Sequence, residues 1–229
     1  MSYKILATDI DGTITDEKGR IHLKAVEWIR RLEGKGVRVI LVSGRPLAFL
    51  ESLSLFVGTS GPLIAENGAV VKINGQIKLL GEPGLAKEAL SVLRGKGLPI
   101  ELDDDNQYRQ VDISIRLNAD PQEILAVIKE QKLPVSILVT NVMLHLVDKQ
   151  VSKGGTLLKV LMDLGIKPSE VVVSGDSYND LPLFEIGAFN LAVGNAAEAL
   201  QSKANKVAKA FYGEGFSELI QEIFEKFNS

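Results

Sequence analysis

Two aspartates, Asp9 and Asp11, follow an apolar run near the start of the chain, in the segment LATDIDGTITD at residues 6–16. Residues two apart on an extended strand point the same way, so both carboxylates can face one target. Like charges this close repel each other, and ionised carboxylates are costly to remove from water without compensation. The pair therefore either faces solvent or holds a cation.

Further polar residues follow the other apolar runs or open the helix-like stretches. They are Ser43, Glu66, Asn67, Lys153, Asp176 and Asp180. In parallel α/β sheets, ligands bind beyond the carboxyl ends of the strands. We therefore expect these side chains to meet Asp9 and Asp11 at one edge of a sheet.

Over residues 1–81 and 150–229 the sequence alternates between short β-rich runs and longer amphipathic stretches, and these elements would position the polar side chains. Strands that are apolar on both faces and separated by helices predict a parallel sheet covered by helices, an α/β fold with a Rossmann-like core. Within the first part, VVKINGQIKLL at 70–80 predicts a hairpin that turns at Asn74 and Gly75.

Residues 82–149 follow a different order, in which one helix precedes two strands, twice over. Strands are expected at IELDD (100–104), QVDISIRL (110–117), PVSILVT (134–140) and VMLHLVD (142–148), with a solvated turn at 103–105 and a hairpin turn at Thr140 and Asn141. This pattern predicts a smaller α+β module inserted into the core, with helices on one face of its sheet.

Composition limits the classes of function. The 229 residues carry a formal net charge of -3, so no basic field is available for nucleic acid or an acidic membrane. The chain has no cysteine, which excludes disulfides, thiolate metal sites and thiol catalysis. No segment has the roughly 18 apolar residues of a membrane span, and the first residues lack the features of a signal peptide. We expect a cytoplasmic protein, and the sequence leaves its oligomeric state open.

The expected cluster combines four carboxylates with a lysine and a serine. Carboxylate oxygens select Mg²⁺ or a similar cation such as Mn²⁺. Lys153, Ser43 and the backbone amides of glycine-containing loops suit a phosphate group. A cation site and a phosphate site together favour phosphoryl transfer. Neither histidine lies in a phosphohistidine-type motif, so a carboxylate remains as the nucleophile.

Four motifs resemble those of the haloacid dehalogenase superfamily of phosphatases: DIDGT at 9–13, the VSGR serine Ser43, the SKGG lysine Lys153, and GDSYND at 175–180. The resemblance implies that Asp9 is the nucleophile and Asp11 the general acid and base. It also implies that Ser43 and Lys153 bind the phosphoryl group. Mg²⁺ would be bound by Asp9, Asp176, Asp180 and the backbone carbonyl of Asp11.

The inserted module and IAENGA at 64–69 are similar to the Cof-type, or IIB, cap subclass of that superfamily. The short chain and small cap most resemble archaeal phosphoglycolate phosphatases. This resemblance implies a phosphatase acting on a small phosphorylated metabolite, with phosphoglycolate preferred and a sugar phosphate as the main rival. Its partner would be that small molecule, held under a cap that closes during transfer.

Other interpretations remain open. A phosphomutase would share the motifs, and a non-enzymatic receiver module also gathers acidic residues and a lysine around Mg²⁺. A calcium loop does not fit, because its third ligand position is Thr13 and its twelfth is Arg20. In the module, Arg109 either meets a substrate carboxylate or is a solvated loop residue, with the second favoured.

Four further residues have structural interpretations. His145 and Arg116 alternate with apolar residues and are expected to face outward. Glu66 and Asn67 either shape the floor of the site or cap the structure that follows.

Overall fold

A computed structural model describes residues 2–140 and 143–228. The strands are β1 (Ile5–Thr8), β2 (Arg38–Val42), β3 (Leu63–Ala65), β4 (Val70–Ile73), β5 (Gln76–Leu79), β6 (Ile113–Arg116), β7 (Val135–Val139), β8 (Met143–Asp148), β9 (Val171–Gly175), β10 (Phe189–Ala192) and β11 (Lys206–Val207). The helices are α1 (Leu23–Gly34), α2 (Leu47–Val57), α3 (Leu85–Gly95), α4 (Pro121–Glu130), α5 (Lys153–Leu164), α6 (Leu181–Phe184), α7 (Glu198–Gln201) and α8 (Tyr212–Ile223).

The larger sheet has the order β11-β10-β9-β1-β2-β3-β4-β5. Its strands run parallel from β11 to β3, and β4 and β5 are antiparallel to their neighbours. Strand β1 lies between β2 and β9, with Ile5 opposite both Arg38 and Val171. The expected α/β core with a Rossmann-like parallel sheet is therefore confirmed.

The hairpin between β4 and β5 turns where the sequence predicts it. Asn74 and Gly75 both have positive φ angles, +51° and +77°, which is the requirement of a type I′ turn. The turn places β5 at the edge of the sheet, where all four of its residues are exposed. The central strands differ, since every residue of β1 and β9 is buried.

The helices of the core bury one apolar stripe each. In α1 the buried residues are Ala25, Trp28, Ile29 and Leu32, which recur at intervals of three and four and so share one face. The two terminal parts of the chain contribute to one hydrophobic cluster around the larger sheet. Among the described residues, no helix combines the length and apolar character needed to cross a membrane.

Residues 85–148 contain a second sheet of order β6-β8-β7, antiparallel throughout. Helices α3 and α4 pack on it and form a separate apolar cluster, which includes Leu93, Ile124 and Leu146. The chain enters and leaves this part at adjacent points, because the Glu82 N–H donates to the Asp148 carboxylate at 2.9 Å. The division at residues 82 and 149 stays a prediction.

Two expectations for this part need correction. The strand at 100–104 is absent from the described residues apart from a bridge between Leu102 and Ile115, because 104–108 form a 3₁₀ turn. The Asn106 amide stabilises that turn by donating to the carbonyls of Asp103 and Ser114. Strand β6 begins only at Ile113. Of the expected hairpin turn, Asn141 lies outside the described residues.

Candidate active site

The carboxyl end of β1 and the amino end of α5 bring Asp9 and Lys153 together. Lys153 Nζ donates to Asp9 Oδ1 at 2.6 Å and to Asp180 Oδ1 at 2.7 Å. Ser152 caps the helix, since its Oγ accepts the Gly155 N–H, and Lys153 is the first helical residue. All three charged side chains are buried. Burial by itself would lower the Lys153 pKa, but the charges of Asp180 and Asp9 outweigh it and raise that pKa.

Three carboxylates form the centre of the site. Asp9, Asp176 and Asp180 can each offer one oxygen, and these oxygens lie within 4.8 Å of one another. Burial and then repulsion from Asp180 raise the pKa of Asp9 well above its ordinary value, although Lys153 partly opposes them. The same two causes raise the pKa of Asp176 to about 7. One lysine facing three buried carboxylates leaves negative charge to be neutralised, and oxygen ligands of this kind fit a hard divalent cation.

Backbone amides and glycines shape the loop that follows β9. Asp180 Oδ2 accepts the N–H groups of Asp176 and Ser177, both at 3.1 Å. Thr13 Oγ1 donates to Asp176 Oδ1 at 3.2 Å. Gly12 has φ +85°, and a Cβ there would lie 2.2 Å from Asp176 Oδ2. The positive φ of Gly12 and the close contact of the loop after β1 with the Asp176 side chain therefore favour a glycine here.

Asp11 points away from the three-carboxylate cluster. Its side chain is 40 % exposed and forms a two-bond ion pair with Arg45, with Nε 3.0 Å from Oδ2 and Nη2 2.8 Å from Oδ1. No role is predicted for Arg45 from the sequence, although it is the last residue of the VSGR motif. The structure thus separates the Asp11 carboxylate from the other three, and binding of a metal through the Asp11 backbone carbonyl stays a prediction.

Ser43 lies one strand away from Asp9, at the carboxyl end of β2. The register pairs Thr8 with Leu41, so both residues follow the ends of adjacent parallel strands. The Ser43 N–H donates to the Ile64 carbonyl at 2.9 Å, and its Oγ accepts the Arg45 N–H at 3.1 Å. Ser43 is buried and fixed beside the site, which suits the phosphate-binding role predicted for it.

A second buried polar cluster joins the core to the strand β6. The Glu66 carboxylate is fully buried and accepts the N–H groups of Gln110, Val111 and Asp112 at 2.8–3.1 Å. Burial and the nearby charge of Asp112 raise the Glu66 pKa, against the effect of these three hydrogen bonds. Glu66 therefore holds the backbone that enters β6, which is more specific than either role considered for it from the sequence.

Arg109 belongs to this cluster, and its interpretation as a solvated loop residue is wrong. Its side chain is 3 % exposed and is paired with Asp105 at 2.6 Å and with Asp112 at 2.5 Å. Its Nη1 also donates to the Gly44 carbonyl at 2.9 Å. Burial alone would raise the Asp112 pKa, but the charges of Arg109 and His145 and the hydrogen bonds from both side chains together outweigh burial and lower that pKa.

His145 is also buried, contrary to the outward orientation expected for it. Its Nδ1 lies 3.2 Å from the Asp112 carboxylate, whereas Arg116 is half-exposed as expected. Charged residues that alternate with apolar ones on a strand resemble a solvent-facing set, so the sequence offered no signal for this pairing.

Comparisons with known proteins agree with the fold and identify the family. The sequence profile of the haloacid dehalogenase-like hydrolases matches residues 6–93 and 100–220. A protein named phosphoglycolate phosphatase from Methanoculleus marisnigri is 39% identical over 227 residues, which cover 96% of this chain and 97% of that protein.

Solved structures show the same architecture. A crystal structure of a Thermoplasma acidophilum protein superposes with a TM-score of 0.90 at 27% identity, covering 99% of this chain and 100% of that one. A sugar phosphatase of haloacid dehalogenase subclass IIB shares the fold, with a TM-score of 0.78 at 19% identity over 98% of this chain and 100% of that one. The resemblance stated from the four motifs is confirmed, and the chain belongs to the haloacid dehalogenase-like hydrolase family.

Proposed function

We propose that this protein is a Mg²⁺-dependent phosphomonoester hydrolase that forms an aspartyl phosphate on Asp9, with 2-phosphoglycolate as its substrate. The observation that carries the proposal is the buried contact of Asp9 with Lys153 beside two further carboxylates. The choice of phosphoglycolate is supported by relatives of that name, which include a Methanothermobacter thermautotrophicus protein 36% identical over 220 residues.

In the first step, an Asp9 carboxylate oxygen attacks the phosphorus atom and the bond from phosphorus to the ester oxygen breaks. The leaving oxygen takes a proton from Asp11 and departs as an alcohol, glycolate in the case of phosphoglycolate. In the second step, water attacks the same phosphorus atom and gives a proton to Asp11. The bond to Asp9 breaks, which releases inorganic phosphate and restores the Asp9 carboxylate.

Lys153 and Ser43 would bind the phosphoryl oxygens during both steps. Lys153 already donates to Asp9, so it holds the nucleophile and presents positive charge to the incoming phosphate. Asp9, Asp176, Asp180 and the Asp11 carbonyl would hold Mg²⁺, which neutralises charge on the transferring group. The chain's own residues otherwise supply the nucleophile, the proton transfer and the phosphate contacts.

Residues 82–149 would act as a cap over this site. Their separate sheet and apolar cluster support an independent packing unit. Their contacts with the core at Glu66, Asn67 and Gly44 place the entry to β6 beside the loops that carry Ser43 and Asp180. Closure would exclude bulk water during transfer, and reopening would release the products.

The test is phosphate release from a panel of small phosphate esters with Mg²⁺, comparing the wild type with Asp9→Asn. An amide is nearly isosteric with the carboxylate but is a far poorer nucleophile, so we expect turnover to fall by at least about 10³-fold while the variant still folds and unfolds cooperatively on heating. Asp163→Asn, at a half-exposed surface position, is the matched control and should keep full activity.

The substrate pattern decides between the candidates. Asp9-dependent release from phosphoglycolate with little from sugar phosphates supports the whole proposal. Release spread over sugar phosphates keeps the phosphatase and rejects phosphoglycolate. Poor net release together with activation by a bisphosphorylated sugar indicates a phosphomutase, and activity that persists in metal-free protein rejects the role of Mg²⁺.

A further inference from the structure

The three residues after β3, Glu66 to Gly68, contact three separate parts of the molecule. Glu66 and Asn67 both lie in the left-handed region, at φ +50° and +57°, which is unfavourable for residues other than glycine. Two such residues in succession persist only where the surrounding contacts hold them. Here Glu66 accepts three backbone N–H groups from residues 110–112.

Gly68, the third residue of this segment, contacts the start of α5. Its φ is +102°, and a Cβ there would lie 2.5 Å from the Ser152 carbonyl oxygen. Thr156 Oγ1 donates to the Gly68 carbonyl at 2.7 Å. The segment therefore packs against the first turn of α5, which begins with Lys153.

Asn67 uses both ends of its amide in contacts that cross the molecule. Its Nδ2 donates to Asp112 Oδ2 at 3.1 Å, and its Oδ1 accepts from Asn179 Nδ2 at 3.2 Å. Asn179 in turn accepts the Ser177 hydroxyl at 2.9 Å through its Oδ1. A continuous hydrogen-bonded path thus runs from the entry of β6 to the loop that contains Asp180.

The chemistry of the two partners fixes the orientation of this amide. A carboxylate can only accept, so Asp112 must face the Asn67 NH₂ group, and the Asn179 NH₂ group must face the Asn67 oxygen. A rotated amide would place oxygen against oxygen on one side and NH₂ against NH₂ on the other. Asp112 is itself held by Arg109 and lies beside His145, so the position of the cap strand determines the orientation of Asn67.

We infer that Asn67 is a positioning residue that couples the seating of residues 109–112 to the geometry of the loop 176–180. The inference extends the proposed function, because that loop carries two of the three clustered carboxylates. When the cap strand is seated, Asn67 holds Asn179 and the loop in the arrangement seen here. When the strand is displaced, Asn67 loses its donor contact and the loop loses an orienting hydrogen bond.

The first test measures amide hydrogen exchange in a peptide spanning residues 174–181, and it requires no activity. Asp112→Asn weakens the cap-side contact of Asn67. We expect this substitution to speed exchange of the Asp176 and Ser177 amides about 10-fold in chains with Asn67 and less than about 2-fold in Asn67→Ala chains. Equal acceleration in both backgrounds would overturn the inference.

Glu66→Gln serves as a second cap-side variant if Asp112→Asn does not fold. It weakens the hydrogen bonds that hold the backbone of residues 110–112, and it leaves Arg109 paired with the Asp112 carboxylate. The matched control is Asn205→Ala, which removes an asparagine that accepts the Asn190 N–H at 2.7 Å outside this path. It should leave exchange at 174–181 unchanged.

The second test measures kcat/KM for phosphoglycolate in a double-mutant cycle of Asp112→Asn and Asn179→Ala. With Asn67 present, the combined effect should differ from the product of the single effects by about 5-fold or more, and with Asn67→Ala the effects should multiply. A purely structural role would give multiplication in both backgrounds. If the wild type releases phosphate from no ester, the proposed function fails, while the exchange experiment still decides the role of Asn67.

Discussion

Asp176→Asn should stabilise the metal-free protein while removing its response to Mg²⁺. Asp176 is buried beside Asp180 and Asp9, and burial and repulsion raise its pKa from 3.8 to about 7. Asparagine keeps the shape and can still accept the Thr13 hydroxyl. It carries no charge, so the substitution removes the repulsion together with a cation ligand.

The size of the stabilisation expected for Asp176→Asn, and its dependence on pH, follow from the pKa of Asp176. The difference between 7 and 3.8 is about 3, and each unit corresponds to about 1.4 kcal/mol, which gives an upper limit of about 4 kcal/mol. Because the folded pKa is the higher one, the stability linked to Asp176 is fully present below about pH 4 and is lost as the pH rises through about 7. The variant should therefore gain nothing near pH 3 and about 2–4 kcal/mol at pH 8.

The assay is denaturant unfolding of metal-free wild type and variant at several pH values, repeated with Mg²⁺. Mg²⁺ should stabilise the wild type by mass action and leave Asp176→Asn unchanged. Asp163→Asn is the control, because its carboxylate is 51 % exposed and paired with Lys78, and it should change stability by less than about 1 kcal/mol. Equal stability of wild type and Asp176→Asn at pH 8 would refute the account of the acidic cluster.

Two further substitutions test the packing around the site. Gly12→Ala forces a Cβ against Asp176, so we expect it to abolish the rise in melting temperature caused by Mg²⁺. Gly75→Ala shares a positive φ but has open space, and it should keep that rise. Arg109→Gln leaves the buried Asp112 short of its charged partner and should cost about 3–5 kcal/mol in denaturant unfolding. Arg116→Gln, with half-exposed ion pairs, should stay within about 1 kcal/mol, and similar losses for both arginines would contradict the burial argument.

Local sequence patterns predict much of the fold. The central strands read as apolar runs because both of their faces are covered, and the Asn74-Gly75 pair specified its turn because both residues need positive φ. The prediction of a strand at 100–104 is wrong, and the cause lies outside that segment. Asn106 binds backbone carbonyls there and stabilises a turn, which overrides the apolar alternation.

The sequence by itself determined the chemistry of the centre. Asp9, Ser43, Lys153, Asp176 and Asp180 each follow or open an element whose end is fixed by local pattern, and a parallel sheet gathers such ends at one edge. The contacts of Lys153 with Asp9 and Asp180 follow from that topology.

Tertiary structure alone decided which charges face each other across the molecule. The ion pair of Asp11 with Arg45, the contact of buried Arg109 with the Gly44 carbonyl, and the two contacts of Asn67 all join residues 34 or more positions apart. Side-chain direction on a loop is set by partners from other elements, and no local pattern encodes it. For that reason the sequence predicts which residues meet at the sheet edge, and the packing of the cap strand on the core determines how they are held.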